Sequence, residues 1–179
     1  RSAHSCTAKK RVSDMTELHW HAATDAGSYD GTALISVGQG AVHLRTDLPA
    51  GTLENAVATL SWPMAENEKI FMNGYQTWTE CPELPKWGRQ RGTDHIPKFL
   101  LDKYAFDRYS DNHFVRYSKR KGMSHGFSYC YFRSGEHYRL VASLDETLGY
   151  TIFYYDAKAA VLRIERDCAG VCHGGSVFA

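Results

Sequence analysis

Residues 126–133 read GFSYCYFR, a run rich in the aromatic residues that favour β-strands. The Ser134-Gly135 pair then provides a turn signal. Three more strand-like runs follow, at residues 137–144, 148–155 and 160–166. Each run has the usual length of a strand, and only tight turns separate the runs. The last third of the chain therefore predicts a meander of antiparallel strands.

Short strand-like runs also dominate the first third of the chain. They lie at residues 17–21, 32–37, 41–46 and 55–62, with no helical period between them. Strands of this kind hide one face by packing one sheet on another. The sequence therefore predicts an all-β fold, an antiparallel β-sandwich similar to a supersandwich.

Residues 83–112 form the one long irregular region of the predicted sandwich. Pro85 and Pro97 interrupt regular structure there, and only residues 99–104 favour a helical turn or two. A segment of this length without regular structure is usually functional or covers something. We expect little helix in the rest of the chain.

The composition indicates one globular domain. The chain has 179 residues, and we expect residues 13–179 to form a single domain after a disordered or tag-like N-terminus at residues 1–12. The 21 basic and 20 acidic residues nearly balance, which argues against nucleic acid or an anionic membrane as a partner. Five scattered cysteines, an odd number, fit a reducing compartment. No apolar run is long enough to span a bilayer, so the expected location is the cytoplasm.

Few patterns that carry metal or cofactor chemistry are present. The spacing of Cys168, Cys172 and His173 is not a standard zinc pattern, and no second Cys/His pair follows, so we expect no metal site. His19 and His21 would share one face of a strand, where surface histidines are the simpler interpretation. No nucleotide-binding fingerprint occurs, so no cofactor is expected.

The irregular region contains four aspartates that are candidates for an acid and a base: Asp94, Asp102, Asp107 and Asp111. Glycoside hydrolysis uses such a pair of carboxyls. Neither the spacing of these aspartates nor their neighbours mark two of them as that pair. Turn formation and solvation account for them at least as well, so we assign no catalytic residue.

Residues 71–82 read FMNGYQTWTECP and carry the densest set of candidate binding side chains. Phe71 and Met72 are expected to be buried anchors at the end of a strand, and the Asn-Gly pair that follows is a strong turn signal. The candidate substrate-binding residues are Asn73, Tyr75, Gln76 and Trp78. Two rings and an amide on a short rigid loop can stack on and hydrogen-bond a polyhydroxylated ligand. The alternative is that Trp78 fills a core, because aromatic side chains are so often buried.

The segment at residues 73–78, NGYQTW, resembles a signature of the retaining α-galactosidases of glycoside hydrolase family 36. In the N-terminal domain of that family, an Asn-Gly/Asn-Trp-Gln-Ser-Trp segment follows a buried strand. Residues 127–132 and 161–168 are also similar to runs that precede the catalytic barrel of the family. The resemblance extends from about Leu34 to the C-terminus, although only the loop segment is specific.

The resemblance implies a large β-sandwich that packs against a (β/α)8 barrel, where both catalytic aspartates lie. In several members the second Trp of the loop lines the galactose pocket, either in its own subunit or in a neighbouring one. That position is Trp78 in this sequence. Tyr75 stands where the family usually has Trp, and Thr77 where it usually has Ser. Whether Tyr75 contacts ligand or only supports Trp78 stays open.

The resemblance also implies a role for the chain, as the non-catalytic N-terminal domain of an α-galactosidase, a glycosidase of carbohydrate metabolism. The sequence contains neither the barrel aspartates nor a Gly-Trp-x-Ser-Trp segment, so we expect the chain alone to be an inactive part of the enzyme. The expected partners are an α-galactoside, the C-terminal catalytic barrel of the same protein and further copies in a homo-oligomer. Two alternatives stay open: a free-standing carbohydrate-binding β-sandwich, and an enzyme complete in itself with two acids from the irregular region.

Overall fold

The computed structural model describes most of the chain. The described residues are 3–12, 15–24, 27–38, 41–48, 55–74, 81–92, 96–109, 118–144, 146, 149–167 and 176–178. Within these ranges, only the backbone is described for residues 3–48, 55–56, 107 and 176–178.

The fold is all-β, which confirms the predicted fold class. The described part contains thirteen strands and two short helices, and every strand pair of known register is antiparallel. The chain divides into two compact units. The first comprises Arg1–Ala56, Leu144–Gly149 and Asp167–Ala179, and the second comprises Val57–Ser143 and Tyr150–Arg166. The single domain over residues 13–179 stays a prediction.

The first unit contains a five-stranded sheet in the order β1-β2-β3-β4-β13. Its strands are β1 (Ala3–Val12), β2 (Met15–Thr24), β3 (Gly27–Gly38), β4 (Ala41–Leu48) and β13 (Ser176–Phe178). Strands β2, β3 and β4 contain the runs predicted at residues 17–21, 32–37 and 41–46. Strand β1 lies in the segment for which a disordered or tag-like terminus is expected, and it pairs with β2 with one irregularity between Ala8 and Arg11.

The second unit contains two four-stranded sheets. The β9 sheet has the order β10-β9-β6-β7, and the β11 sheet has the order β5-β12-β11-β8. The strands of the β9 sheet are β6 (Lys69–Met72), β7 (Leu84–Pro85), β9 (Tyr129–Ser134) and β10 (His137–Ala142). The strands of the β11 sheet are β5 (Asn55–Ser61), β8 (Met123–Phe127), β11 (Thr151–Asp156) and β12 (Val161–Asp167).

The two sheets of the second unit enclose a core between them. Met72 on β6 and Cys130 and Phe132 on β9 are buried, and they alternate with residues that face outward, as a strand requires. On β11, Tyr155 is also buried, and its ring centroid lies 5.1 Å from that of Phe132 at an interplanar angle of 74°. This sheet-on-sheet packing confirms the predicted antiparallel sandwich.

The run at residues 126–133 is two strands, so the prediction of one continuous strand is wrong. Strand β8 ends at Phe127, and β9 begins at Tyr129. Ser128 between them has a φ of 64°, in the left-handed region that costs a residue other than glycine about 1–2 kcal/mol. Its N–H donates to the backbone O of Thr151 (3.0 Å), and its own backbone O accepts from the N–H of Ser143 (2.8 Å). These two hydrogen bonds hold the corner at which the chain changes sheets.

The predicted meander is also wrong, because β10 and β11, which follow each other in the sequence, lie in different sheets. Strands β9 and β10 do form a hairpin, and so do β11 and β12. Strand β8, however, pairs with β11, while β9 pairs with β6. Strands that are consecutive in the sequence on either side of Ser128 therefore belong to different sheets.

Helix is confined to the irregular region in the described part of the chain. Helix α1 (Lys98–Lys103) confirms the helical turn predicted at residues 99–104, and α2 (Phe106–Tyr109) follows it. Helix α1 begins after Pro97 and has no buried residue. Within the described residues, no helix is long and apolar enough to cross a membrane.

The turn between β11 and β12 provides a test of the backbone conformation at Ala160. Its φ of 53° lies in the region that glycine tolerates better than any other residue. Ala160→Gly is therefore expected to raise the free energy of unfolding by about 0.5–1 kcal/mol, as measured by urea denaturation. The matched control is Ala159→Gly, one residue earlier in the turn and outside the left-handed region, which should lower the stability by a similar amount. Equal losses in both variants would contradict this turn conformation.

Candidate functional site

Asn73, the residue directly after β6, binds to both sheets of the second unit. Its backbone N–H donates to the backbone O of Tyr129 on β9 (3.2 Å), and its backbone O accepts from the N–H of Phe127 on β8 (2.8 Å). Its side-chain Nδ2 also donates to the backbone O of Phe127 (2.9 Å). Each such hydrogen bond contributes about 0.5–1.5 kcal/mol net. The first residue of the candidate loop is thus fixed between β8 and β9.

Gly126 on β8 makes room for this arrangement. A Cβ atom at this position would lie 2.8 Å from the backbone O of Asn73 and 2.9 Å from the Cβ of Met72. Backbone atoms cannot rotate away from such a clash, so the approach of β6 to β8 requires glycine here. Gly126 is not among the site residues predicted from the sequence. The available signal was a lone glycine at the start of a strand pattern.

The two described ends of the candidate loop contact each other. The N–H of Gly74 donates to the Sγ of Cys81 at 3.1 Å. Residues 75–80, which connect them, lie outside the described residues. The intervening segment therefore starts and finishes at one point of the second unit.

The sequence-predicted loop residues have different outcomes. Asn73 is described, whereas Tyr75, Gln76 and Trp78 are not, so their roles and the turn that leads to them stay predictions. Met72 is buried as predicted, with 3% exposure. Phe71 is only half-buried because it lies on the outward face of β6, so its prediction as a buried anchor is wrong.

Among the candidate acids, Asp102 is a surface residue of α1. Its Oδ1 and Oδ2 accept from the Nζ of Lys98 at 2.9 and 3.0 Å, an i,i+4 ion pair of an exposed helix. This contact indicates that Asp102 is a solvated surface residue, and it does not support a catalytic role for Asp102. Asp94 and Asp111 lie outside the described residues, and only the backbone of Asp107 is described.

The cysteines and histidines considered for metal chemistry are only partly described. Cys130 is buried, which raises the pKa of its thiol to about 12 and keeps it neutral and unreactive. Cys168, Cys172 and His173 lie outside the described residues. His19 and His21 lie two residues apart on β2, as predicted, and their side chains are not described. Among the residues that the structure describes, no group of three or more His, Cys, Asp or Glu side chains could hold a metal ion.

A stack of three rings lies on the outward face of the β9 sheet, next to Asn73. Phe71 lies between Tyr129, at a centroid distance of 5.9 Å and an angle of 24°, and Tyr131, at 4.8 Å and 7°. Tyr138 meets Tyr131 edge-on at 5.5 Å. Tyr129 and Tyr138 are 37% and 60% exposed, so rings at both ends of this group reach solvent. The sequence pattern alone does not connect these rings with the loop, since their adjacency depends on strand pairing.

Glu83, just before β7, forms an ion pair beside the stack. Its carboxylate accepts from the Nε of Arg133 (2.6 Å), from the Nη2 of the same residue and from the hydroxyl of Tyr131 (3.1 Å). The hydrogen bonds from Arg133 lower the pKa of Glu83 to about 2, against the desolvation that would raise it, and the Tyr131 hydroxyl adds to the lowering. Glu83 is therefore ionised and engaged at neutral pH. It positions Tyr131 and is not suited to transfer a proton.

In comparisons with known proteins, no family model, curated protein or solved structure matched this chain. The resemblance of residues 73–78 therefore stays a hypothesis about the loop. The described residues show how the start of the loop is held. Asn73 is fixed between two sheets, with partly exposed rings beside it.

Gly126→Ala tests how Asn73 is seated. The added methyl group would meet backbone atoms, so we expect the free energy of unfolding to fall by about 1–3 kcal/mol and the Asn73 amide resonances to shift in NMR spectra. The control is Gly135→Ala, where no atom lies within 4 Å of the added Cβ and the φ of 59° alone causes strain. This control should lose stability without shifting the Asn73 resonances. Unchanged Asn73 resonances in Gly126→Ala would contradict the close packing of β6 on β8.

The pair of Glu83 and Arg133 predicts a pH dependence of stability. A carboxyl whose pKa is lower in the folded protein stabilises the fold above its ordinary value, here 4.5, and this contribution is lost as the pH falls from 4.5 towards 2. The thermal midpoint of the wild type should therefore fall more steeply across this window than that of Glu83→Gln. Both side chains are about a quarter exposed, so the difference should be moderate. The control is Glu136→Gln, a variant of an exposed turn residue, whose thermal midpoint should follow that of the wild type. Parallel curves of thermal midpoint against pH for the wild type and Glu83→Gln would refute the ion pair.

Proposed function

We propose that this chain is the non-catalytic N-terminal domain of an α-galactosidase, whose loop after Asn73 presents aromatic side chains to the sugar pocket of a catalytic barrel. The substrates of the whole enzyme are terminal α-galactosides. The observation that carries the proposal is the NGYQTW segment at residues 73–78, which follows a strand whose end is fixed by both sheets.

The frame of the loop supports a presenting role. Asn73 is hydrogen-bonded to β8 and β9, and Gly74 is hydrogen-bonded to Cys81. A stacking ring that is already held in place loses less conformational freedom when the ligand binds, so it contributes more to affinity. Anchoring both ends of a short segment reduces the conformational freedom that ligand binding must otherwise remove.

The catalytic carboxyls are assigned to the barrel. Retaining hydrolysis needs two carboxyl groups about 5 Å apart on a rigid frame. Asp102 is engaged by Lys98 on the surface, and Glu83 is engaged by Arg133. The partners in this proposal are the α-galactoside, the barrel of the same protein and further copies in a homo-oligomer. The odd number of scattered cysteines favours the cytoplasm.

A free-standing carbohydrate-binding β-sandwich is the second candidate. The stack of Tyr129, Phe71 and Tyr131 on an outward sheet face favours it, because stacked rings are a stable platform. Such a module would bind sugar strongly by itself. An accessory domain would depend on the barrel for most of its contacts.

The test compares two tryptophans in the α-galactosidase that contains this chain. Trp78→Ala is expected to lower kcat/KM by about 5- to 150-fold, because the loss of a stacking wall removes about 1–3 kcal/mol of transition-state stabilisation. The matched control is Trp87→Ala, a tryptophan with 46% exposure that bonds to Glu66 through its Nε1 and should leave kcat/KM unchanged.

Measurements on the isolated chain separate the alternatives. It should not turn over a nitrophenyl α-galactoside, and Trp78→Ala should leave its denaturation midpoint nearly unchanged. A loss of about 3–5 kcal/mol in the free energy of unfolding would identify Trp78 as a core residue and remove the proposal. Turnover by the isolated chain would favour an enzyme complete in itself, and strong sugar binding without turnover would favour the free-standing module.

A further inference from the structure

Tyr129 faces outward because of the unusual backbone of the residue before it. Residues two apart in one strand share a face, so a continuous strand would direct Tyr129 to the same side as the buried Phe127. The φ of 64° at Ser128 breaks that pattern, and Tyr129 is 37% exposed. Strained residues of this kind persist only where the surrounding structure imposes them, and they cluster at ligand sites.

The ring of Tyr129 is the end of the three-ring stack. One of its faces meets Phe71, which is backed in turn by Tyr131. Among the described residues, no ring covers the other face of Tyr129. A terminal ring held by two rings behind it loses little side-chain freedom when a ligand stacks on it.

Asn73, directly after β6, is the backbone neighbour of Tyr129 on β9. Its backbone bond to Tyr129 continues the register that pairs Met72 with Cys130, so the two residues lie opposite each other. Because Nδ2 of the amide donates to Phe127, Oδ1 points away from that bond. Within the described part of the chain, no group donates to Oδ1. This oxygen can accept a hydrogen bond from a hydroxyl group.

The chemistry of the two groups selects a ligand class. The face of an aromatic ring and an amide oxygen both carry negative partial charge, so both favour positively polarised hydrogens and disfavour anions. The carbon-bound hydrogens on one face of a sugar suit the ring, and a sugar hydroxyl suits the amide oxygen. Arg133 and Glu83, on the same sheet face, are bonded to each other, so this pair offers little attraction to a charged ligand.

We propose that Tyr129 and Asn73 form a stacking subsite for a neutral pyranose ring. The ring of Tyr129 packs against the face of the sugar that carries C–H groups, and Oδ1 of Asn73 accepts from a sugar hydroxyl. This inference rests on the proposed function and adds to it a second aromatic wall, which belongs to the sheet frame and not to the loop.

The test is a titration of this chain with methyl α-D-galactopyranoside, followed by NMR. The chain carries ¹³C-labelled tyrosine rings and ¹⁵N-labelled indole groups, so that Tyr129 and Trp78 report separately. We expect the Tyr129 ring resonances to shift in a saturable manner at millimolar sugar. An aromatic contact of this kind corresponds to a change in Kd of about 2- to 10-fold.

Variants identify the contact that is responsible. Tyr129→Ala should raise the Kd by about 2- to 10-fold, and Tyr129→Phe, which keeps the ring, should restore the wild-type value. The matched control is Tyr138→Ala, another exposed tyrosine of the same sheet, at the far end of the ring group. It should leave the Kd unchanged. Should Tyr129→Ala fail to fold, Tyr129→Leu keeps the apolar packing on Phe71 and removes only the ring.

The outcomes separate the inference from the proposed function. A shift of the Trp78 indole without any response of Tyr129 would overturn the subsite and leave the proposed function standing. Equal effects of Tyr129→Ala and Tyr138→Ala would show general sheet disturbance and would also overturn the subsite. If no resonance responds, the subsite is refuted, and the kinetics of Trp78→Ala in the enzyme alone decide the proposed function.

Discussion

The packing of the two sheets in the second unit depends on the hydrogen bonds that the backbone makes at the end of β6. This strand is short, and the chain leaves it at the edge where the β9 and β11 sheets come together. The backbone of Asn73 is hydrogen-bonded to Tyr129 on one sheet and to Phe127 on the other. Its amide side chain adds a second bond to Phe127, and Gly126 allows the approach. Buried backbone groups without partners are costly, so the same contacts that hold the loop also close this end of the sandwich.

Contacts away from Asn73 hold the two sheets together. The hydroxyl of Tyr155 on β11 donates to the backbone O of Trp62 (3.2 Å), and the Trp62 ring packs on Phe132 of β9 at 5.3 Å. The guanidinium of Arg139 on β10 lies 4.9 Å from the centroid of the Trp62 ring and binds both carboxylate oxygens of the buried Glu68. These contacts stabilise the relative position of the sheets. Strain at the corner between β8 and β9 is tolerable because the sheets it joins are held elsewhere.

The alternation of apolar residues was sufficient to predict the fold class and most strands. This is because the face on which a residue lies depends on its position within its own strand, which the local sequence shows. The prediction that Phe71 and Met72 are both buried was correct for Met72 and wrong for Phe71, because neighbouring residues of a strand face opposite sides. The alternation failed at Ser128, because a serine carries no sign that its φ will be positive, and this one torsion decides which sheet each half of the run joins. For the same reason the sequence did not reveal that Tyr129 lies beside Asn73. That neighbourhood arises from pairing between residues far apart in the chain. Trp78, the residue that the motif emphasises, lies outside the described residues.

In a sugar-binding site, an aromatic ring on the sheet, such as Tyr129, and one on the loop, such as Trp78, would have different roles. A galactose ring has one face rich in C–H groups, and two aromatic rings cannot both pack on that face. If Trp78 stacks on the terminal galactose, then Tyr129 would stack on the C–H face of the next sugar unit of an α-galactoside. The two rings also differ in what holds them in place. Tyr129 is set by strand pairing and by the stack on Phe71, whereas Trp78 belongs to a segment whose described ends are fixed at Asn73 and Cys81. The frame would thus define where the substrate lies, and the loop would complete the wall around it.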